Sequence, residues 1–157
     1  DKIKGLILLN NSGVIPPRPG EIWKGIEKGD NPLIVADAAG YSRLLKVIFV
    51  KEPFIPYPVK RHLAEKSVAR RVYNAKIFNE IHSSPVLFDG RYSRFTMPVL
   101  IIWGDGDRLL DVSSVSVLER GIRNHTTRIL KDCGHVPMIE RPGETASYIL
   151  EFITADK

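Results

Sequence analysis

An α/β fold built on a parallel sheet is predicted by three features of this sequence. Two short apolar blocks, Gly5-Leu-Ile-Leu-Leu9 and Pro98-Val-Leu-Ile-Ile-Trp103, read as strands buried on both faces, each running into a turn rich in Asn, Asp or Gly. Between them, from Glu21 to about Gly90, apolar residues are dispersed, aromatics recur and strand-like runs are scarce. After the second block the pattern alternates helix, strand, helix, the order that brings strands side by side and parallel.

Taken in order, the first block ends in Asn10-Asn-Ser-Gly13, a turn signal. As the first strand of the chain, it is expected to show a bare edge. Val14 to Gly20 holds Pro16, Pro17 and Pro19 and reads as a stiff extended connector. Asp37 to Phe49 has helical spacing, and so does Val59 to His82, with Val68, Val72, Ala75, Phe78 and Ile81 on one side. Glu52-Pro-Phe-Ile-Pro-Tyr-Pro58 separates the two. Pro85 to Thr96 is a connector. Val112 to Ile122 is predicted helical, with Val115, Leu118 and Ile122 on one side and Asp111 or Ser113 as its cap. Thr126 to Leu130 reads as a short strand and Lys131-Asp-Cys-Gly-His135 as its terminal loop. Pro142 opens a closing helix with Ala146, Ile149, Leu150 and Ile153 on its apolar face.

Composition removes several function classes. The chain of 157 residues is the size of one ordinary domain, with 43% hydrophobic and 26% charged residues, a globular balance. The net charge of +5 is mildly basic, but no nucleic-acid-binding signature accompanies it, so nucleic acid is not an expected partner. The single cysteine, Cys133, excludes an internal disulfide and a Cys-rich metal site. No apolar run approaches the roughly 18 residues of a membrane span. The chain begins at Asp1 without an initiator Met, which leaves room for a targeting segment upstream and leaves location open. From Lys60 to Lys76 six basic residues face a single acid, Glu65. The simpler reading is a solvated helix face, and the sharper one is a surface that approaches anionic lipid. Asn10-Asn-Ser12 and Asn124-His-Thr126 match glycosylation acceptors, a pattern common by chance.

Chemistry concentrates in two loops. Asp107 follows one strand and His135 the next, with one helix between. A right-handed crossover makes those strands parallel and adjacent at about 4.8 Å, so both loops open on the same edge of the sheet. There a carboxylate can fix the imidazole tautomer and leave the other ring nitrogen to act as base. A calcium reading of Asp105, Asp107 and Asp111 fails, because Leu109 and Leu110 occupy positions that an EF-hand loop reserves for a ligand and a glycine. Cys133, two residues from His135 on an extended loop, reads as a small buried hydrophobe.

Pro98-Val-Leu-Ile-Ile-Trp-Gly-Asp-Gly-Asp107, Cys133-Gly-His135 and Met138-Ile-Glu-Arg-Pro142, in that order, resemble the C-terminal part of α/β-hydrolase-fold enzymes. That family carries W-G-x-x-D at its acid, G-H at its base and E-x-P or E-R-P at its last helix, and the 28-residue spacing from Asp107 to His135 also fits. Asp107-Arg-Leu-Leu-Asp-Val-Ser113, together with Phe54-Ile-Pro56 and the basic helix after it, is similar to the monoacylglycerol-lipase-like branch. The match is tight over 97–155 and loose over 1–90.

The resemblance implies the last three parallel strands of an α/β-hydrolase sheet with their helices, plus a helical cap insertion. Residues 1–13 match a core strand and turn, 14–90 the cap or lid, and 91–157 the core that carries the acid and base loops. Asp107 matches the triad acid and His135 the general base, with Asp105 the competing acid and Asp111 a helix cap. Leu109, Val136 and Phe54 are the candidate substrate contacts. No metal or organic cofactor is required by this chemistry.

The family's G-x-S-x-G nucleophile elbow is absent. Gly40-Tyr-Ser-Arg-Leu44 comes nearest but lacks the second glycine and a preceding strand, and no H-G oxyanion motif is present either. Against the family pattern the chain starts at the sixth strand. The expected partner is therefore the N-terminal half of the same enzyme, as a separate chain or a missing segment, and this stretch alone is not expected to catalyse acyl transfer. The implied activity is that of a serine carboxyl-ester hydrolase acting on lipid, monoacylglycerol or small esters, with contact between its cap and a membrane surface. Hydrolysis of C–C bonds, epoxides or haloalkanes is an alternative, and so is a non-catalytic binding protein of the same fold.

Overall fold

The computed structural model describes residues 3–83 and 90–155. At its centre is strand β2 (Val99–Gly104), every residue of which is buried. Side chains alternate across a strand, so β2 feeds two cores at once. Val99, Ile101 and Trp103 pack with Tyr92, Val115, Leu118 and Ile122 on one side. Leu100 and Ile102 pack on the other with Leu130, Cys133, Tyr148, Ile149 and Phe152. A strand flanked by apolar residues on both faces is what a helix-covered parallel sheet requires.

β1 (Leu6–Leu9) and β3 (His125–Leu130) pair with β2 on either side, both parallel, in the order β1-β2-β3. The register sets Leu9 beside Ile102 and Leu130 beside Gly104, so all three strands end on one edge. β1 is only half-buried, because it has a neighbour on one side alone among the described residues. The fold class expected from the sequence is the one observed.

Each face carries a helix. α5 (Ser114–Gly121) covers one with Val115 and Leu118, and Asp111 Oδ1 accepts from Ser113 N–H at 2.8 Å just before it. α7 (Pro142–Thr154) covers the other. Its inward stripe is Thr145, Tyr148, Ile149 and Phe152, not the predicted Ala146, Ile149, Leu150 and Ile153. Leu150 is 58% exposed and Ile153 53%. The rotation has two causes. Thr145 Oγ1 donates to Pro137 O at 3.0 Å, and the aromatic rings of Tyr148 and Phe152 bury more area than Ala146 could. Phe152 lies directly over Gly5, whose missing side chain leaves the space.

Between β1 and β2 the chain forms α1 (Trp23–Ile26), α2 (Ala38–Ile48), α3 (Tyr57–Ala69) and α4 (Arg71–Ser83). Asp37 caps α2 by accepting from Gly40 N–H at 2.7 Å, a contact worth about 1 kcal/mol. Pro58 sits in the first turn of α3, where its missing N–H costs nothing. This insert has a small core of its own, Val35, Tyr41, Leu45, Phe49 and Ala64, joined by Val136 from beyond β3.

The single helix predicted over Val59–His82 is two, broken at Arg70 (φ −91°, ψ 5°). No glycine or proline marks the break. Instead α4 swings round to stack Phe78 and His82 on Trp23, with ring centroids 6.3 and 4.7 Å away, and this tertiary contact overrides local continuity. The predicted stripe is split as a result: Phe78 turns inward while Val72 is 83% exposed. Part of the predicted connector Pro85–Thr96, including Phe88, lies outside the described residues. Its described end forms a short 3-10 turn, Tyr92–Arg94. Among the described residues, no helix is long and apolar enough to cross a membrane.

Candidate active site

After β2 the chain turns sharply. Asp105 N–H continues the ladder to Leu130 O at 3.1 Å and Gly106 N–H donates to Cys133 O at 2.9 Å, so the acid loop is sewn to the end of β3. Gly104 explains how they come so close: a Cβ there would collide with the carbonyls of Cys133 and Gly134. Asp107 then points into the protein with no exposed side-chain surface.

A carboxylate has about four acceptor positions, and those of Asp107 are filled. Oδ1 accepts from Leu109 N–H and Leu110 N–H, each at 2.9 Å. Oδ2 accepts from Asn10 Nδ2 at 2.6 Å and faces His135 Nδ1 at 2.9 Å. Opposite a carboxylate, Nδ1 is the donor, which leaves Nε2 of the neutral ring with its lone pair free. His135 keeps 22% of its side chain exposed, and Nε2 has no hydrogen-bond partner among the described residues.

The base loop is held from the other side, by the insert. His135 N–H donates to Ile48 O at 2.8 Å, at the end of α2. Gly134 packs so closely on that carbonyl that a side chain would not fit. Glu140, the last residue of α6 (Pro137–Glu140), accepts from Gly134 N–H at 2.8 Å and also from Lys51 N–H at 2.6 Å and Val50 N–H at 3.3 Å. One carboxylate thus binds the base loop to the segment that follows α2. Cys133 is fully buried, and burial, with the nearby charge of Glu140 second, pushes its thiol up to about 11 from the usual 9.0. A thiol so protonated is packing material at neutral pH.

Of the residues nominated from the sequence, Asp107 and His135 meet. Asp105 is exposed two residues away, and Asp111 is taken up with Ser113 N–H and an ion pair to Arg18. Leu109 ties the acid loop to the insert: its N–H serves Asp107 and its carbonyl accepts from Trp23 Nε1 at 3.1 Å. Val136 packs into the core of the insert. Phe54 stands 91% exposed in the loop before α3.

Sequence reasoning missed Asn10 and did not single out Glu140. Asn10 reads locally as a turn residue and a glycosylation acceptor, yet it is 4% exposed with its amide committed to Asp107. The available signal was positional, since Asn10 ends a parallel strand on the same edge as the other two. The basic run is largely solvated, with Arg61 paired to Glu65, Lys76 to Glu80 and Lys60 to Glu52.

Comparison with known proteins identifies relatives of the chain. A family described as alpha/beta hydrolase fold matches residues 55–142, more than half of the chain. Among solved structures, a membrane phospholipase A described as a bacterial virulence factor superposes with a TM-score of 0.95 and 38% identity, over 98% of this chain and 50% of that one. Lipase 1 of Psychrobacter immobilis is 26% identical over 145 residues, 92% of this chain and 46% of the relative. Human monoacylglycerol lipase ABHD6 is 30% identical over 130 residues, 79% of this chain and 37% of the relative. The chain spans about half, or less, of the length of the curated relatives it matches.

Proposed function

This chain belongs to the α/β-hydrolase fold family, and we propose that Asp107 and His135 are the acid and base of a serine carboxyl-ester hydrolase acting on a lipid or small ester. The observation that carries the reading is the 2.9 Å contact between Asp107 Oδ2 and His135 Nδ1, which leaves Nε2 unengaged on the edge where all three strands end. The names of the similar proteins, lipases and a phospholipase, support an ester substrate.

In this reading the serine lies outside the chain, which carries no G-x-S-x-G. His135 Nε2 takes the proton of the serine hydroxyl as its oxygen attacks the ester carbonyl, then delivers it to the departing alkoxide. A second cycle with water in place of the alcohol releases the acid. Asp107 keeps the ring in the tautomer that leaves Nε2 basic and stabilises the imidazolium formed between the two transfers. The remaining half of the enzyme is the partner, and the edge of β1 left unpaired among the described residues is where it would add its sheet. The insert serves as the cap, and the exposed Arg70, Arg71, Val72 and Tyr73 at the α3–α4 junction support contact with a lipid surface. This chemistry requires no metal or cofactor.

The deciding experiment is turnover of short- and long-chain nitrophenyl esters by the complete protein and by His135→Ala. The substitution is expected to lower kcat on the order of 10⁴-fold or more. Turnover that survives it unchanged sinks the assignment.

A further inference from the structure

Three strands end on one edge of this sheet, and each delivers one side chain to the same point: Asn10 from β1, Asp107 after β2 and His135 after β3. The chemistry above uses two of them. We propose that Asn10 is the positioning residue of the acid, holding the Asp107 carboxylate in the orientation that presents Oδ2 to His135. This rests on the esterase reading for its kinetic consequences and on geometry for the rest.

The orientation of the amide is fixed by its partner. Nδ2 lies 2.6 Å from Asp107 Oδ2 and 3.4 Å from Gly134 O, both acceptors. Reversing the amide would set oxygen against a carboxylate oxygen at the shorter distance, so the N–H must face Asp107. A hydrogen bond to an ionised acceptor is short and strong, and this one is shielded from water at both ends. Asn10 Oδ1, also buried, accepts nothing among the described residues. A buried amide with one atom unpaired among the described residues costs folding free energy, so packing does not account for it.

The backbone explains why the residue is asparagine. Asn10 has φ 40°, in the left-handed region, where asparagine, aspartate and glycine are tolerated far better than β-branched residues. Its N–H donates to Ile102 O at 3.2 Å, which carries the ladder one step past the strand and fixes the Cα. Glycine would accept that φ but bring no donor, while aspartate would set a second negative charge against Asp107. Among these three residue types, asparagine alone combines the conformation with an N–H for the carboxylate.

The two oxygens of Asp107 are therefore fixed from independent directions. The N–H groups of Leu109 and Leu110 belong to its own loop and hold Oδ1. Asn10, 97 residues earlier in the chain, holds Oδ2 beside the histidine. Without Asn10 the carboxylate can turn about the Oδ1 anchor, and the alignment of His135 Nδ1 loosens.

Two variants of the complete protein test this, with His135→Ala alongside. Asn10→Gly suits the backbone and deletes the donor, so kcat is expected to fall on the order of 10- to 100-fold with KM unchanged, and the downfield proton resonance of His135 Nδ1 should broaden or vanish. Asn10→Asp puts two carboxyls in contact, and their repulsion holds one proton on the pair to a higher pH than a lone carboxyl keeps it. At low pH a shared proton restores a donor to Oδ2. As pH rises that proton leaves, so the profile of kcat/KM gains a basic limb absent when the native profile is measured alongside. Asp105, Arg108, Lys131, Asp132 and Cys133 of the two loops, and Glu140 at the end of α6, are common to both proteins and cannot supply the difference. A general loss of packing would lower activity without creating that limb. Native kcat and a native profile in both variants, with His135→Ala inactive, would overturn the role of Asn10 and leave the esterase reading intact. If His135→Ala remains active, the esterase reading falls. The resonance then decides alone: its loss in Asn10→Gly supports the positioning role and its persistence refutes it.

Discussion

Asp107 and His135 lie at the ends of adjacent strands, yet they are held by very different means. Asp107 is out of contact with solvent and carries four contacts on its two oxygens, from its own loop, from β1 and from the base. His135 is fixed through its backbone and one ring nitrogen, and its other edge is open. The difference matches the demands of proton transfer. An acid that only orients and stabilises gains from rigidity, whereas a base that must reach two oxygens in turn needs one free nitrogen and some play.

The most drastic way to break this contrast is Asp107→Asn. If the new amide keeps its oxygen toward Leu109 and Leu110, its NH₂ meets two donors, Asn10 Nδ2 and His135 Nδ1–H. The ring is driven to the other tautomer, and kcat should fall about 10⁴-fold with little change in secondary structure, as steady-state kinetics and circular dichroism would report. Activity within tenfold of native would show that the saturated carboxylate is not the orienting group.

On the base side the equivalent anchor is Glu140. Glu140→Ala strands the buried N–H of Gly134, while the exposed N–H groups of Val50 and Lys51 can turn to water. The expected loss is about 1–3 kcal/mol, read from urea unfolding, with Glu140→Gln losing less because one acceptor remains. Trp23→Phe should cost about 1 kcal/mol, since it keeps a ring against Phe78 and His82 but drops the hydrogen bond to Leu109 O. The smallest effect concerns Cys133. With its thiol held up to about 11, folded protein should resist iodoacetamide at pH 8 and react only after unfolding. The sign follows from the raised value: the preference of the fold for the neutral thiol is complete below the usual 9.0 and is lost as pH rises through about 11.

What could be read in the sequence was what is local. Val99 to Trp103 is apolar throughout and declares a buried strand, and the Asp107–His135 pairing follows from one strand–helix–strand step. Asn10 was hidden because its partner is 97 residues away and depends on the register of β1 against β2. The break at Arg70 was hidden because its cause is an aromatic stack with Trp23, not a residue in the helix. The phase of α7 is not legible in the spacing of its aliphatic residues, because Thr145, Tyr148 and Phe152 set the buried face.

The interlocked glycines have one more consequence. Gly104 has the carbonyls of Cys133 and Gly134 where its side chain would be, Gly106 has Val50 and Cys133, and Gly134 has Ile48. No one of these segments can leave its place without vacating the surface that shapes the next. The amides of Gly106, Gly134 and His135 should therefore exchange with deuterium at a common rate, through a single opening event, while the ends of α3 and α4 exchange faster and separately. A common rate would make the acid, the base and the end of α2 one foldon, so that any substitution lowering its opening energy exposes all three together.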